Sequence, residues 1–335
     1  MMIKLLKRAL LGLALLVLAS WAAFELSPWP SAWLLRQLFE MPGRATDRAL
    51  APMAPRDLEE RLDLAYDAQD ADAWLDLYRP HAAPALPVIV WVHGGGWISG
   101  GKGLIANYLR ILAARGYAVV GVDYSLAPAR QFPTPLRQLD SALAYLQQHA
   151  QALQIDADRI VLAGDSAGAQ IVAQYANLMT RPAYAAELGL RPRLPRARLQ
   201  ALLLFCGAFD PAQMNLDGPY RLPLRTMFWS YLGRKDFRAS PELLARLSVS
   251  AQLNPALPPL FITAGSADPL EVQSRRLAAE AAAQGLHVQT LFFPGTEQPR
   301  SEHVYQFKLQ DPPARQALEQ MLQFLARLGL PAHGV

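Results

Sequence analysis

The apolar residues between Val88 and Leu328 fall into two alternating patterns. Short continuous apolar runs bounded by turn signals predict buried strands, and stretches with one apolar helical face predict helices between them. The strands are predicted at 88–92, 118–122, 159–163, 199–205, 260–264 and 288–293. The helices are predicted at 104–115, 134–149, 169–179, 272–284 and 314–328. This alternation is typical of an α/β fold with a mostly parallel sheet covered by helices on both faces.

Two regions depart from this alternation. Residues 62–66 and 74–78 alternate apolar and polar side chains, which predicts a half-buried antiparallel pair of strands. The stretch from Asp210 to Pro258 is rich in Met, aromatic and Pro residues, and it is too long for a simple connection in a compact domain. We therefore predict a helical cap insertion at about 210–258, lying over the ends of the strands.

The first 28 residues resemble a membrane segment in composition. Its start carries three basic residues, Lys4, Lys7 and Arg8. An uncharged run follows at Ala9–Phe24, which is about 24 Å long as a helix. We predict a signal-anchor over residues 1–28, with the basic residues inside and the rest of the chain exported. The alternative is a cleaved signal peptide, which would release a secreted protein.

Residues 29–55 connect this segment to the main domain. Ser31–Glu40 has the pattern of a short amphipathic helix, and Met41–Pro55 is rich in Pro and Ala, which predicts a linker. Together they are a candidate part of the cap. Residues 56–335 then form the α/β domain that carries the cap insertion.

The composition narrows the functional classes. A chain of 335 residues with 52% hydrophobic residues suits one α/β domain with insertions. The net charge of +4 is mild, and no motif indicates nucleic-acid binding. The single cysteine, Cys206, excludes an intrachain disulfide and a cysteine-based zinc cluster, and its apolar neighbours predict a buried thiol. No cofactor or metal ion is expected, and oligomeric state is not predicted.

The pentapeptide Gly164–Gly168 has the pattern G-x-S-x-G. It follows the predicted strand and precedes the predicted helix at 169–179, which is the setting of a nucleophile elbow. In such an elbow a tight turn presents a serine hydroxyl, here that of Ser166, and glycines allow the turn to close. Asp165 is either a hydrogen-bond partner within the turn or a solvated turn residue.

A glycine loop, His93-Gly94-Gly95-Gly96-Trp97, directly follows the strand at 88–92. Consecutive glycines leave backbone N–H groups unshielded, as in the H-G-G-G oxyanion loop of esterases and lipases. That loop works together with the N–H of the residue after the nucleophile, which is Ala167 here. The loop lacks the Lys-Ser/Thr of a phosphate-binding P-loop.

A serine nucleophile needs a base and an acid that orients the base. Of the six histidines, only His303 lies between the last predicted strand and the last predicted helix, where the order serine, acid, histidine requires it. Asp268 follows the strand at 260–264 and is the candidate acid, although it also suits a helix N-cap. Glu271 and Glu302 are weaker candidates for the acid.

These motifs together identify a family. The chain resembles the hormone-sensitive lipase-like carboxylesterases of the α/β-hydrolase fold, to which arylacetamide deacetylase also belongs, over about residues 62–328. The resembling segments are His93–Trp97, Asp123–Pro128, Phe132-Pro133, Gly164–Gly168, Asp268–Leu270 and His303. The chain departs from the family pattern outside the triad, at Ser125, Ala129, Arg130 and Ala169.

The resemblance implies roles for the candidate residues. The implied catalytic triad is Ser166, Asp268 and His303. The implied oxyanion-hole residues are Gly94, Gly95, Gly96 and Ala167. The last three offer backbone N–H groups, and Gly94 shapes the loop. A cap built from the N-terminal segment and an insertion is also implied.

We therefore expect a serine carboxylesterase that hydrolyses hydrophobic esters with short to medium acyl chains through an acyl-enzyme. One alternative is an amidase or deacetylase that uses the same triad. Another is a binding protein with the hydrolase fold but without catalysis. The expected partners are a small ester substrate and a membrane reached through the N-terminal segment.

Overall fold

The central element of the fold is a twisted sheet, seen in a computed structural model that describes residues 1–81, 85–216, 218 and 220–330. The strands are β1 (Glu59–Ala65), β2 (Trp74–Arg79), β3 (Leu86–Val92), β4 (Ala118–Val122), β5 (Ile155–Asp165), β6 (Leu199–Phe205), β7 (Leu260–Ala264) and β8 (Val288–Phe292). Within the described residues they pair in the order β1-β2-β4-β3-β5-β6-β7-β8. The strands β1 and β2 pair antiparallel, and β2 is antiparallel to β4. All strands from β4 to β8 along the sheet run parallel, as the apolar pattern predicts.

Helices cover the sheet and extend from its edges. They are α1 (Met2–Leu26), α2 (Trp29–Leu50), α3 (Ala106–Ala113), α4 (Thr134–Gln148), α5 (Ala150–Leu153), α6 (Ala167–Thr180), α7 (Pro182–Glu187), α8 (Arg221–Leu232), α9 (Pro241–Leu247), α10 (Glu271–Ala283) and α11 (Pro312–Arg327). The predicted strands at 118–122, 199–205 and 260–264 coincide with β4, β6 and β7. The other predicted strands and helices are found with ends shifted by a few residues, and the predicted helix at 134–149 is followed by the short α5.

The strand β3 shows why the central strands read as continuous apolar runs. Val88, Val90 and Val92 pack into the core layer that contains α4 and α6. Ile89 and Trp91 point to the other face and pack into the layer that contains α3 and α11. Both faces of the strand are therefore removed from water, so alternation between apolar and polar residues is absent from its sequence.

The insertion between β6 and β7 contains the helices α8 and α9, as the prediction of a helical insertion requires. Two of its residues, Asp217 and Pro219, lie outside the described residues. Phe228 and Tyr231 of α8 are fully buried and join the larger core layer, so the insertion is packed onto the domain.

The prediction of a linker over Met41–Pro55 is wrong for its first ten residues, because α2 continues through Pro42 to Leu50. Proline removes one helical hydrogen bond and disfavours a helix interior, which is why the composition indicated a break. Tertiary contacts stabilise the last turns of α2 after Pro42. The Asp47 carboxylate accepts hydrogen bonds from the Asn107 backbone and side-chain amides, each at 2.8 Å, and Leu50 is buried.

The helix α1 has no buried residue. In the described part of the chain it is the one helix that is long and apolar enough to cross a membrane, a test that a signal sequence also passes. The exposure of α1 argues against a core helix of a soluble domain.

Candidate active site

The predicted elbow is a tight turn between β5 and α6. Ser166 lies at its tip with φ 51° and ψ −118°, which is unusual for a residue with a side chain. The flanking glycines are required by close approach. A Cβ on Gly164 would lie 2.5 Å from the carbonyl carbon of Gly168, and a Cβ on Gly168 would lie 2.0 Å from the Val92 carbonyl oxygen. The Ser166 N–H donates to the Phe205 carbonyl at 2.8 Å, which ties the turn to β6.

The three side chains predicted as a triad lie in one hydrogen-bonded series. Ser166 Oγ is 3.0 Å from His303 Nε2, and His303 Nδ1 is 2.9 Å from Asp268 Oδ1. Asp268 follows β7 and His303 lies in the loop between β8 and α11, so parallel strands bring their ends to one edge of the sheet. The Asp268 side chain is fully buried, whereas 34% of the His303 side chain is exposed. A substrate can therefore reach the imidazole from one side.

The electrostatics of the pair follow from opposite charges in a buried setting. Burial raises the pKa of Asp268, but the facing His303 charge and its hydrogen bond outweigh burial, and the net pKa lies below the ordinary value. Burial lowers the pKa of His303, but the Asp268 charge and hydrogen bond outweigh it, and the net pKa lies above 6.5. The carboxylate thus favours the imidazolium form of His303.

The weaker candidates for the acid are occupied elsewhere. Glu271 pairs with Arg275 one turn along α10, and Glu302 pairs with Lys308, each at 2.7 Å. Asp268 combines two roles, although the helix N-cap position that its sequence context suggested is occupied by Leu270. Its Oδ1 accepts the Leu270 N–H at 2.8 Å in the turn before α10 while also facing the imidazole.

Sequence reasoning missed the position of Cys206. This residue is buried as predicted, but its sulfur, a carboxylate oxygen of Asp268 and a ring nitrogen of His303 all lie within 4.8 Å of one another. Among the described residues, these are the three donor side chains with a spacing that a metal ion could use. Burial, reinforced by the charge of Asp268, raises the pKa of the Cys206 thiol well above its ordinary value. This setting favours a protonated Cys206 thiol beside the carboxylate, whereas metals bind the thiolate form of cysteine.

The glycine loop is held in place by Asp165, the residue before the serine. Its Oδ2 accepts the Gly94 N–H at 3.1 Å, and its Oδ1 accepts the indole N–H of Trp91 at 2.9 Å. The carboxyl is buried, and burial raises its pKa although these hydrogen bonds oppose the rise. Asp165 is thus a partner within the turn and not a solvated residue. The Gly94 N–H is used internally, so Gly94 shapes the loop and is not a free donor.

Backbone donors remain beside the serine. Within the described residues, the N–H groups of Gly95, Gly96 and Ala167 donate no hydrogen bond to the protein. Gly95 has a φ of 109° and Gly96 a φ of 61°, values that residues with side chains rarely adopt. A Cβ on Gly95 would also lie 2.2 Å from the Ser99 carbonyl oxygen. The loop conformation therefore depends on both glycines.

The cap covers the glycine loop with Met and aromatic side chains of the kind that the composition of the insertion indicated. A Cβ on Gly96 would lie 2.5 Å from the sulfur of Met227, which belongs to α8. The indole of Trp97 stacks on Tyr231 of the same helix, with ring centroids 4.8 Å apart. From α2, Arg36 Nε donates to the Ile98 carbonyl at 2.7 Å. Hence α8 of the insertion contacts the glycine loop, and α2 contacts Ile98, the residue that follows the loop. Neither contact was visible in local sequence patterns.

Comparison with known proteins supports the fold and the esterase motifs described above. Residues 89–298 match the alpha/beta hydrolase fold family. The chain is similar to an acetyl esterase of Salmonella schwarzengrund (strain CVM19633), with 30% identity over 235 residues that cover 67% of this chain and 68% of the relative.

Solved structures show the same fold. Esterase B of Lactobacillus rhamnosis superposes with a TM-score of 0.76 and 24% identity, covering 89% of this chain and 95% of that chain. A hyperthermophilic esterase of Pyrobaculum calidifontis gives a TM-score of 0.70 and 21% identity, covering 89% and 92%. Together with the motifs and the site geometry, these findings establish the family. The chain belongs to the hormone-sensitive lipase-like carboxylic ester hydrolases of the α/β-hydrolase fold.

Proposed function

We propose that this hydrolase cleaves hydrophobic carboxylic esters with short to medium acyl chains through an acyl-enzyme on Ser166. The observation that carries the proposal is the hydrogen-bonded series Ser166–His303–Asp268 beside unpaired backbone N–H groups. The similarity to an acetyl esterase supports the short end of the acyl range. The apolar side chains of the cap, with Met227 directly over the glycine loop, support an apolar substrate in a confined site.

The proposed reaction has two steps. Ser166 Oγ attacks the ester carbonyl carbon while His303 Nε2 accepts the hydroxyl proton, and the resulting oxyanion receives hydrogen bonds from the N–H groups of Gly95, Gly96 and Ala167. The imidazolium then gives its proton to the alkoxide, and the alcohol leaves. In the second step water attacks the acyl-enzyme by the same route, which releases the carboxylic acid and restores the serine.

In this mechanism Asp268 stabilises the imidazolium and fixes the ring. Its carboxylate lies 2.9 Å from His303 Nδ1, and that nitrogen carries the proton whenever Nε2 accepts one from the serine. The raised pKa of His303 strengthens the base, although it also means that more of the histidine is protonated at acidic pH.

The test is hydrolysis of p-nitrophenyl esters from acetate to decanoate by wild type, Ser166→Ala and Ser274→Ala. Ser274 is a matched control because it is a buried serine on α10 whose hydroxyl has no partner in the described structure. We expect activity in wild type and Ser274→Ala and a loss of about 10³-fold or more in Ser166→Ala. Equal activity in all three proteins would refute the assignment of the nucleophile.

Matched p-nitroanilides separate the esterase from the alternatives that the sequence leaves open. An amidase would turn over the anilide as well as the activated ester, whereas an esterase would turn over the ester alone. A binding protein without catalysis would be inactive on both. Near-normal turnover in His303→Ala would remove this histidine from the mechanism.

We further propose that α1 anchors the enzyme in a membrane, with Lys4, Lys7 and Arg8 inside and the catalytic domain exported. In this division residues 1–28 are the anchor, residues 29–55 join the cap, and residues 56–335 are the hydrolase domain with its insertion at about 210–258. Support comes from the length and full exposure of α1. Retention in membranes after carbonate washing tests the anchor against a cleaved signal peptide, and protease protection in intact cells tests the side of the membrane.

A further inference from the structure

The helix α2 has an exposed face made of large apolar side chains. Trp29, Trp33, Leu34, Leu38 and Met41 are each between 47% and 62% exposed. At 3.6 residues per turn they cover about half of the helix circumference. The other side of the helix packs on the domain, where its Ala32 is buried. This exposed face is apolar except for Gln37, and an exposed apolar face of this size marks an interaction surface.

This face lies next to the proposed anchor. Only Ser27 and Pro28 separate α1 from α2. The end of α1 is also tied to the cap, since Lys235, just after α8, donates to the Glu25 carbonyl at 2.6 Å and pairs with the Glu25 carboxylate. The uncharged run of α1, Ala9–Phe24, is about 24 Å long as a helix, which is shorter than the roughly 30 Å of a bilayer core. If α1 crosses a membrane, the whole apolar run is needed to span the core, so Glu25 and the start of α2 lie at the surface.

The charges around the face suit a lipid surface. Beyond Met41, the exposed side of α2 carries Arg44 and Arg48. The start of α8 exposes Leu222 (68%) beside Arg221. Tryptophan and aliphatic side chains bordered by basic residues are typical of helices that lie in the boundary between headgroups and acyl chains.

On the basis of the proposed anchor and esterase activity, we propose that the cap rests on the membrane through this face of α2 and receives its ester from the bilayer. The occupant of the face is the bilayer in which α1 is anchored. The same elements lie against the active site, because Met227 of α8 covers Gly96 and Arg36 of α2 contacts the carbonyl of Ile98, the residue just after the glycine loop. An apolar ester leaving the lipid therefore meets the cap before it meets water.

Site-directed fluorescence tests the orientation. Leu38→Cys and Val272→Cys carry an NBD label in the full chain reconstituted into phosphatidylcholine–phosphatidylglycerol vesicles. Val272 is a matched control, because it is 73% exposed on α10 of the hydrolase domain, outside the cap, and Cys206 is buried and unreactive. We expect a blue-shifted emission and strong quenching by brominated lipids at position 38 only. Equal emission and quenching at both positions would overturn the proposal.

A second arm measures the supply of substrate. Trp33→Glu combined with Leu38→Glu is expected to lower the rate on an ester with a medium acyl chain and a long apolar alcohol, dissolved in the vesicles, by about tenfold, since two large apolar side chains leave the lipid. The rate on water-soluble p-nitrophenyl acetate should stay within about twofold, as it should for both substrates in Val272→Glu. Unchanged hydrolysis of the vesicle-bound ester by the double variant would contradict the proposal.

The two proposals can fail separately. The fluorescence arm is repeated in the Ser166→Ala background, where it reports orientation regardless of catalysis. Inactivity of wild type on every ester would refute the proposed esterase while leaving the fluorescence result intact. Release of the chain by carbonate washing would refute the anchor, and with it the orientation that the anchor imposes.

Discussion

Substituting Gly96 by alanine perturbs the glycine loop in a defined way. The φ of 61° at this position is strained for a residue with a side chain. The new Cβ would also lie 2.5 Å from the Met227 sulfur and 3.0 Å from its Cγ. Since ordinary contacts between carbon atoms are about 3.5–4.0 Å, either Met227 or the loop must move by about 1 Å.

The size of the effect depends on which side moves. The left-handed backbone costs about 1–2 kcal/mol in either case. Displacing the methionine into a poor rotamer adds about 0.5–1.5 kcal/mol and leaves the loop donors in place. Displacing the loop removes an oxyanion donor, which costs about 3–4 kcal/mol, or roughly 10²–10³ in kcat. Because Met227 is part of the cap and packs against the larger core layer, we expect the loop to move and kcat to fall by about 10²-fold.

The assay compares kcat/KM for p-nitrophenyl acetate, and the midpoint of urea unfolding, in Gly96→Ala, Met227→Ala and the double variant. Gly103→Ala is the matched control, because nothing lies within 4 Å of a Cβ at this position. Removing the methionine side chain should restore at least about tenfold of the lost kcat/KM, as expected for coupled neighbours. Activity in Gly96→Ala within about threefold of wild type would refute the reasoning, and so would a double variant with no recovery.

Three further predictions concern the groups around the loop and the base. Asp165→Ala leaves two buried N–H donors unpaired, so urea unfolding should show a loss of about 1–3 kcal/mol and kcat should fall; unchanged stability would contradict the anchoring role of the carboxylate. The acid limb of kcat/KM should have a midpoint above 6.5, because His303 acts as a base only when neutral and its folded pKa is raised. In Asp268→Asn that midpoint should fall below the wild-type value, since burial lowers the pKa of His303 and only the Asp165 charge then opposes it, and kcat should drop by about 10³–10⁴; a pH-rate profile of the residual activity checks both statements. Arg36→Ala should reduce stability by about 1–2 kcal/mol and lower kcat/KM, whereas the exposed control Arg44→Ala should have little effect on either quantity.

Much of the fold could be predicted because its signals are local. β4 and β7 are buried throughout and β6 is buried except at Gln200, and a mostly apolar run specifies such a strand without reference to distant residues. The elbow and the glycine loop could be located for a related reason. A Cβ on Gly95, Gly164 or Gly168 would lie 2.0–2.5 Å from a backbone atom, so these glycines record in the sequence where the chain approaches itself closely.

Other features depend on contacts that no local pattern contains. The composition of residues 41–50 indicated a linker, but the hydrogen bonds of Asn107 to Asp47 hold them in α2. Cys206 had the surroundings of an ordinary core residue, and only the packing of β6 against the β7 loop brings it next to Asp268. The function of Asp165 could not be chosen from the sequence because its partner Trp91 lies 74 positions away.

The sequence by itself determined the α/β class, the chain order of Ser166, Asp268 and His303, and the apolar character of α1, because these are properties of residue type and order. Only the tertiary structure decided that the three side chains meet at 2.9–3.0 Å, since parallel strands must first be aligned before their end loops can converge. It also decided that Gly94 donates to Asp165 and that Met227 covers Gly96. Distances of this kind depend on the relative placement of whole helices and strands, which is fixed by packing across the entire core.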